Sequence, residues 1–397
     1  KSVIEEPLDI KVSVIVPTKN AGVELDYVLR RVVQQEGIKD IELITIDSGS
    51  TDDTVEICKS YTSNVFQIAP EEFHHANTRT LGGEKASGDY LVFITQDSIP
   101  VGNQWLYKLI MPVYKDEVSA VSVKQIIRSD ADLFATWANF THNFFMQFER
   151  DRVSNSKMFK SFAELDVQSK RIIAGLDNVC MAIKKEVFDK YKFAPGYAED
   201  LDLGIKLIND GHSLMFQASN AVIHSHNRPP LYFFKRSYVD GYSLSELLKV
   251  QRLSYDVQAV VESIHYLYCV LKMSLSALDL KSRAYNEVGE VMQSFMEYIV
   301  GKMILFDTSW QLIEGDKEFD DFFVDYKPVS HQNIVKELNN DLLFNLKRFA
   351  DFVSKHKKLS EVRDVFADNV YKLFANTAGS YLATHTMQRI EGLVGGI

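Results

Sequence analysis

Two aspartates stand where apolar runs end. Asp47 closes IELITID (41–47), and Asp97 follows the bulky run YLVFIT in DYLVFITQDSIP (89–100), ahead of Pro100, which cannot continue a central strand. Carboxylate oxygens suit Mg²⁺ and Mn²⁺, so Asp97 and its neighbours are placed to hold such a cation against a diphosphate. Either residue alone is as well explained by a helix cap or a turn; together at one crevice they read as a site. A second acidic group, YAEDLDLG (197–204), puts Glu199 and Asp200 at a helix start. Some of these acids complement the helix dipole, but a general base toward a hydroxyl also needs a carboxylate at such a lip. In IHSH (223–226), strand alternation is expected to point His224 and His226 to one face, where imidazole can join a carboxylate on Mn²⁺. Arg79, in HHANTRTLGGEK, is expected at a helix start, where guanidinium and helix N-terminus can share a phosphate. Its plain alternative is a surface ion pair with Glu84 or Asp89.

These side chains need a frame that gathers strand ends. VSVIVP (12–17), IELITID (41–47), VFQIA, the run at 89–96 and VSAVSV (118–123) read as strands. Between them lie helices at 23–35, after TDDT, at 76–88 and at 103–113. Strands separated by helices mean crossovers, hence an α/β fold with a mostly parallel sheet and helices on both faces. Ligands of such sheets collect beyond the carboxyl ends of the strands, where Thr18 to Asn20, Asp47 to Ser50 and Gln96 to Ser98 all fall. From 131 to 250 the pattern mixes: an aromatic helix (134–148), a strand at 178–185, a helix at 198–210, strands in SLMFQ and NAVIHSH, and a helix at 231–250. Beyond Leu253 every periodic segment is helical, so the expected division is 1–250 and 251–397.

Composition narrows the class. The 397 residues are 46% hydrophobic and 25% charged, with a net charge of -10, which argues against non-specific nucleic-acid binding and leaves room for a local basic patch toward an anionic lipid. Three cysteines lack metal spacing and fit a reducing compartment. No apolar run reaches the ~18 residues of a membrane span, and no G-x-G-x-x-G follows the first strand, which disfavours a dehydrogenase. The sequence opens on Lys and is expected to be part of something longer.

VSVIVPTKN, ITIDSGSTDDT, the strand ending in TQD, GYAEDLDLG and VIHSH, in this order, resemble the inverting glycosyltransferases of family 2, which have a GT-A fold. FHHANTRTLGGEKASGDYLVFITQDSIP, NVCMAIKKEVF and AEDLDLGIKLINDGH bring the likeness closer to the bacterial rhamnosyltransferases of that family. The likeness spans roughly residues 11 to 245 and stops before the helical region.

The resemblance implies a single displacement with inversion. Asp200, with Glu199 beside it, would be the base; Asp97 with His224, or His226 as the alternative, would hold Mg²⁺ or Mn²⁺. Pro17, Thr18, Asn20, Asp47, Ser48, Gln96 and Asn178 would line the nucleotide-sugar site, and Arg79 would contact the base or diphosphate. Thr95 stands where relatives carry the first acid of D-x-D, and Ser48 where many carry a second Asp. The implied donor is dTDP-L-rhamnose, with a UDP-hexose or UDP-N-acetylhexosamine as rival. The implied acceptor is a glycan or lipid-linked glycan of bacterial surface polysaccharide such as O-antigen. A catalytically silent sugar-nucleotide or glycan-binding module is the reading from another class. The expected location is cytoplasmic, peripheral at the inner membrane, with the C-terminal helices completing the acceptor side, forming an oligomer, or touching membrane or partner enzyme.

Overall fold

The computed structural model describes residues 6–278, 285–304, 311, 313–390 and 393. The chain forms two compact units, one of residues up to Ala131 plus Asn139–His226, the other of Asp132–Ala138 plus Asn227 onward.

The first unit is built on nine strands: β1 (Leu8–Thr18), β2 (Ile38–Asp47), β3 (Val65–Gln67), β4 (Tyr90–Ile94), β5 (Ile99–Pro100), β6 (Ala120–Ile126), β7 (Arg152–Ser154), β8 (Cys180–Lys184) and β9 (Leu214–Ile223). Their order is β3-β2-β1-β4-β8-β6-β9-β5, with β7 also beside β9. β3, β2, β1 and β4 run parallel, as do β6 and β9. β8 runs against both β4 and β6, while β5 and β7 run against β9, so the sheet is mixed. Alternating strands and helices announce crossovers but say nothing of a later strand inserted in reverse. Val12, Val14, Ile15 and Val16 are all fully buried, the pattern of a strand covered on both faces. Pairing is flush at the carboxyl edge, Thr18 opposite Asp47 and Asp47 opposite Gln67. SLMFQ and NAVIHSH form one strand, β9, whose register against β6 shifts between Val123 and Lys124 and which ends at Ile223.

Around the sheet lie α1 (Glu24–Val33), α2 (Thr54–Tyr61), α3 (His75–Lys85), α4 (Trp105–Tyr114), α5 (Leu133–Phe145), α6 (Val167–Ala174), α7 (Lys185–Tyr191) and α8 (Glu199–Asn209), α5 beginning in the second unit. Two glycines set how near the functional helices come. A Cβ at Gly82 would overlap the Ile15 side chain, so α3 lies close on β1; one at Gly204 would overlap the Ala174 carbonyl oxygen, so α8 lies close on the end of α6.

The described residues of the second unit hold helices and no strand: the start of α5, then α9 (Pro230–Leu248), α10 (Val257–Ala277), α11 (Val288–Ile304), α12 (Lys317–Phe322), α13 (Gln332–His356), α14 (Leu359–Val362) and α15 (Phe366–His385). Its start at Asn227 differs from the boundary expected near 250, because α9 packs along α15, with Gly379 against the Phe234 carbonyl and Gly241 against Ala383. No helix among the described residues is long and apolar enough to cross a membrane. The three cysteines are unpaired and buried.

Gly204→Ala sets two effects against each other. Helix propensity favours Ala by about 1 kcal/mol, but the clash is with backbone, which cannot swing aside, and overpacking costs about 1–3 kcal/mol. The clash is expected to win, and urea denaturation should give a lower midpoint for the variant.

Candidate active site

Asp97 lies just past β4, and His224 and His226 just past β9. They are therefore loop residues, not the strand pair expected, and the alternation argument does not apply to them. They converge nonetheless. His224 Nε2 is 3.5 Å from Asp97 Oδ1 and His226 Nδ1 is 3.5 Å from Asp97 Oδ2. One ligand atom from each of the three lies within 4.8 Å of the others. His224 is also fixed from behind: its N–H donates to the Ile126 carbonyl at 2.8 Å, and its Nδ1 lies 2.8 Å from Gln125 Oε1. Two imidazoles and one carboxylate fit a divalent cation, and the nitrogen ligands favour Mn²⁺ over Mg²⁺, which prefers oxygen.

Asp200 and Glu199 open α8 but face different partners. Glu199 is buried; its Oε1 accepts from Arg79 Nη1 at 3.1 Å and from Asn178 Nδ2 at 2.8 Å. Arg79 sits in the second turn of α3 with its side chain 7% exposed, paired with Glu199 rather than with Glu84 or Asp89. Its Nη1 also donates to the His75 carbonyl at 3.2 Å. A guanidinium so enclosed is a clamp on Glu199, not an open phosphate ligand at a helix start. Two buried atoms here, Arg79 Nε and Asn178 Oδ1, have no hydrogen-bond partner among the described residues.

Asp200 accepts from the Asn178 N–H at 2.9 Å through Oδ2, and from the Leu201 N–H at 2.8 Å through Oδ1. The residue keeps part of its surface open, while its carboxyl is enclosed by protein. Burial first, then the negative charges of Glu199 and Asp177, push its pKa up to about 7 against the two N–H donors. The folded chain therefore holds a proton that the unfolded chain releases near pH 4. That contribution to stability is full below about pH 4 and is lost as pH rises through about 7. Ala198, just before the pair, adopts the left-handed region at φ 62°, strain of the kind that collects at functional sites.

The strand-end loops hold the remaining candidates. Asp47 is fully buried, and its own turn occupies both oxygens: Oδ2 accepts from the N–H groups of Gly49 (3.1 Å) and Ser50 (3.0 Å), Oδ1 from the hydroxyls of Ser50 and Thr18. It shapes the turn and leaves little for a nucleobase. Ser48 is buried and bonded to the Thr18 carbonyl, and Pro17 is half-buried. Gln96 grips Lys19 at both ends, accepting from its N–H at 2.7 Å and donating to its carbonyl at 3.1 Å. Asn20 is exposed at φ 44°; its N–H donates to Ser50 Oγ and its Oδ1 accepts from the Thr51 N–H, each at 2.8 Å. The loop after β1 is thus tied on both sides.

Gln125 and Asp177 were not singled out by sequence. Asp177 Oδ2 accepts from Gln125 Nε2, and its Oδ1 accepts from the Val179 N–H at 2.9 Å. Only the position of Asp177 immediately before Asn178 hinted at it.

The Arg79–Glu199 pair predicts a strongly non-additive cycle. Arg79→Leu alone leaves a buried carboxylate uncompensated and should cost about 3–5 kcal/mol, whereas Arg79→Leu with Glu199→Leu should cost less than the two single changes summed. Denaturation of the four proteins measures this; additive costs would show that the two groups do not depend on each other.

Residues 13–192 match the glycosyl transferase family 2 domain. The O-antigen chain rhamnosyltransferase RfbN of Salmonella typhimurium is 30% identical over 238 residues, 58% of this chain and 72% of that protein. WbaN of Salmonella anatum, of the same description, is 30% identical over 234 residues, 58% and 70% of the two chains. Among solved structures, TarS 1–349 of S. aureus covers 94% of this chain and 90% of its own at 14% identity and a TM-score of 0.41. Glucosyl-3-phosphoglycerate synthase from Mycobacterium tuberculosis, solved with Mn²⁺, UDP-glucose and phosphoglyceric acid, covers 62% and 84% at 19% identity and a TM-score of 0.43. Likenesses of that size carry nothing about chemistry. The relatives matched over more than two thirds of their length, together with a mixed sheet bearing the family motifs at its carboxyl edge, make this chain a member of glycosyl transferase family 2, with a GT-A fold.

Proposed function

We propose that the chain transfers L-rhamnose from dTDP-L-rhamnose, with inversion, to a glycan or lipid-linked glycan acceptor of a surface polysaccharide. The donor rests on the two Salmonella relatives, both described as O-antigen chain rhamnosyltransferases. The chemistry rests on one observation: an enclosed carboxyl, Asp200, whose pKa is raised to about 7, stands on the same hydrogen-bonded framework as the Asp97–His224–His226 cluster.

In this reading Asp200 accepts the proton of an acceptor hydroxyl as that oxygen attacks the anomeric carbon. Its two N–H donors fix the carboxylate, leaving its other lone pairs for the incoming hydroxyl. Glu199 does not compete as a base, since Arg79 and Asn178 hold it; its charge keeps Asp200 basic. The orphaned Asn178 Oδ1 is suited to accept from a sugar hydroxyl. Asp97, His224 and His226 would hold Mn²⁺, which when bound offsets the charge that grows on the departing diphosphate. The loop after β1, braced by Gln96, Asp47 and Ser50, cradles the nucleotide, and Pro17, Thr18 and Ser48 shape its base.

Calorimetry of dTDP-rhamnose, UDP-glucose and UDP-N-acetylglucosamine, each with and without Mn²⁺, tests the donor. The expected result is selective, Mn²⁺-assisted binding of dTDP-rhamnose that weakens in Asp97→Ala. Preference for a UDP-sugar would discard the donor and keep the fold, and binding of none would favour a silent module.

Asp200→Asn should lose about 10²–10⁴-fold in turnover while still binding donor, the usual worth of a general base. Because the base must be unprotonated, wild-type kcat/KM should rise about tenfold per pH unit below 7 and level off above it. Full activity in Asp200→Asn would refute the assignment.

A further inference from the structure

Gln125, the penultimate residue of β6, joins the two halves of the site, and its amide has only one workable orientation. Asp177 Oδ2 is a carboxylate oxygen that accepts, so the group facing it is the Gln125 NH₂. Oε1 must then face His224 Nδ1 at 2.8 Å, and a carbonyl oxygen accepts only from an N–H. Nδ1 therefore carries a proton, and whenever the ring is neutral its lone pair lies at Nε2. That lone pair faces Asp97 Oδ1 across 3.5 Å, acceptor against acceptor, an arrangement relieved by a positive charge between them. Neighbouring ligands of an octahedral cation stand about 3 Å apart at the 2.0–2.1 Å bond lengths of such sites, close to this spacing. Asp177 is itself anchored by the Val179 N–H, so the tie does not end on a mobile group.

We propose that Gln125 is a positioning residue that locks His224 in the Nδ1–H tautomer and so presents Nε2, beside Asp97, as a ligand for a divalent cation. This rests on the reading of Asp97, His224 and His226 as the metal site. A histidine ligand commonly gives its other N–H to an acceptor that fixes ring and tautomer, and losing that acceptor costs 10–100-fold in metal affinity. Here the acceptor is a neutral amide, whose own orientation is imposed by a carboxylate. The same tie ends one residue before Asn178, whose N–H donates to Asp200, so one strand entry serves metal side and base side alike.

Two readouts test this on the full chain. The first is the ring ¹⁵N spectrum of His224 at a pH of about 8.5, where imidazole is neutral. The wild type should show the Nδ1–H tautomer, and Gln125→Met, similar in size but without an acceptor, should shift toward Nε2–H. The second is calorimetric titration with Mn²⁺ alone, where Gln125→Met should bind about 10–100-fold more weakly. An Nε2–H ring in the wild type overturns the proposal without any variant, and so does unchanged Mn²⁺ affinity in Gln125→Met while His224→Ala loses it. If His224→Ala binds Mn²⁺ as the wild type does, the metal-site reading is what fails.

Discussion

The buried Arg79–Glu199 pair is the interaction on which the site depends. With side chains 7% and 8% exposed, neither charge can be left without the other, and their net contribution to stability is small beside the penalty for separating them. The pair therefore acts as a specification: any arrangement of α3 and α8 that parts them carries a buried bare charge. Its consequences spread locally. Gly82 lets α3 lie low enough on β1 for Arg79 to reach, and Gly204 lets α8 approach the end of α6. Asn178 adds its amide to Glu199 and its N–H to Asp200, so the start of α8 is held from the strand side as well. Ala198, left-handed just before the pair, turns the chain into α8, where adjacent positions already point about 100° apart and so send the two carboxylates to different surroundings.

The reversed strand explains how so many groups meet at one edge. In a parallel sheet that edge receives only strand C-terminal ends, here those of β1, β2, β4, β6 and β9. Because β8 runs against β4 and β6, its entry rather than its exit lies there, with Cys180 opposite Ile94 and the Thr95 N–H bonded to the Val179 carbonyl. Asp177 and Asn178 are thus brought beside Asp97 and the end of β6 by strand direction alone. Asp97 follows a rigid strand end, whereas the two histidines are in a loop and need bracing from Gln125 and the Ile126 carbonyl.

What could be read in the sequence was what is local. Asp97 at the mouth of an apolar run, the acidic start of α8 and the strand–helix alternation each depend on neighbours within a few residues. The frame follows, since burial on both faces leaves its mark in β1, β2 and β4. Arg79 and Glu199 lie 120 residues apart, Gln125 and His224 lie 99 apart, and nothing local to Arg79 distinguishes a clamp from a phosphate ligand. Asp47 misleads for the same reason: an aspartate at a strand end looks alike whether it faces a ligand or its own turn. The apolar stripe of the helix at 230–248 does not say which body it meets; α15, more than a hundred residues later, supplies the answer.

Charge balance at this edge accounts for the poise of Asp200. Asp97, Asp177, Glu199 and Asp200 bring four carboxyl groups, and Arg79 is already committed to Glu199. With burial and two neighbouring negative charges against it, Asp200 is ionised only reluctantly, and it holds its proton up to about pH 7. Any positive charge drawn to the Asp97 cluster favours the ionised form, because opposite charge lowers a carboxyl pKa where like charge raises it. A base prepared in this way is largely protonated at neutral pH and below when the site is empty, and a cation at the Asp97 cluster raises its ionised fraction at the cost of some basicity, with no moving part beyond the charge itself.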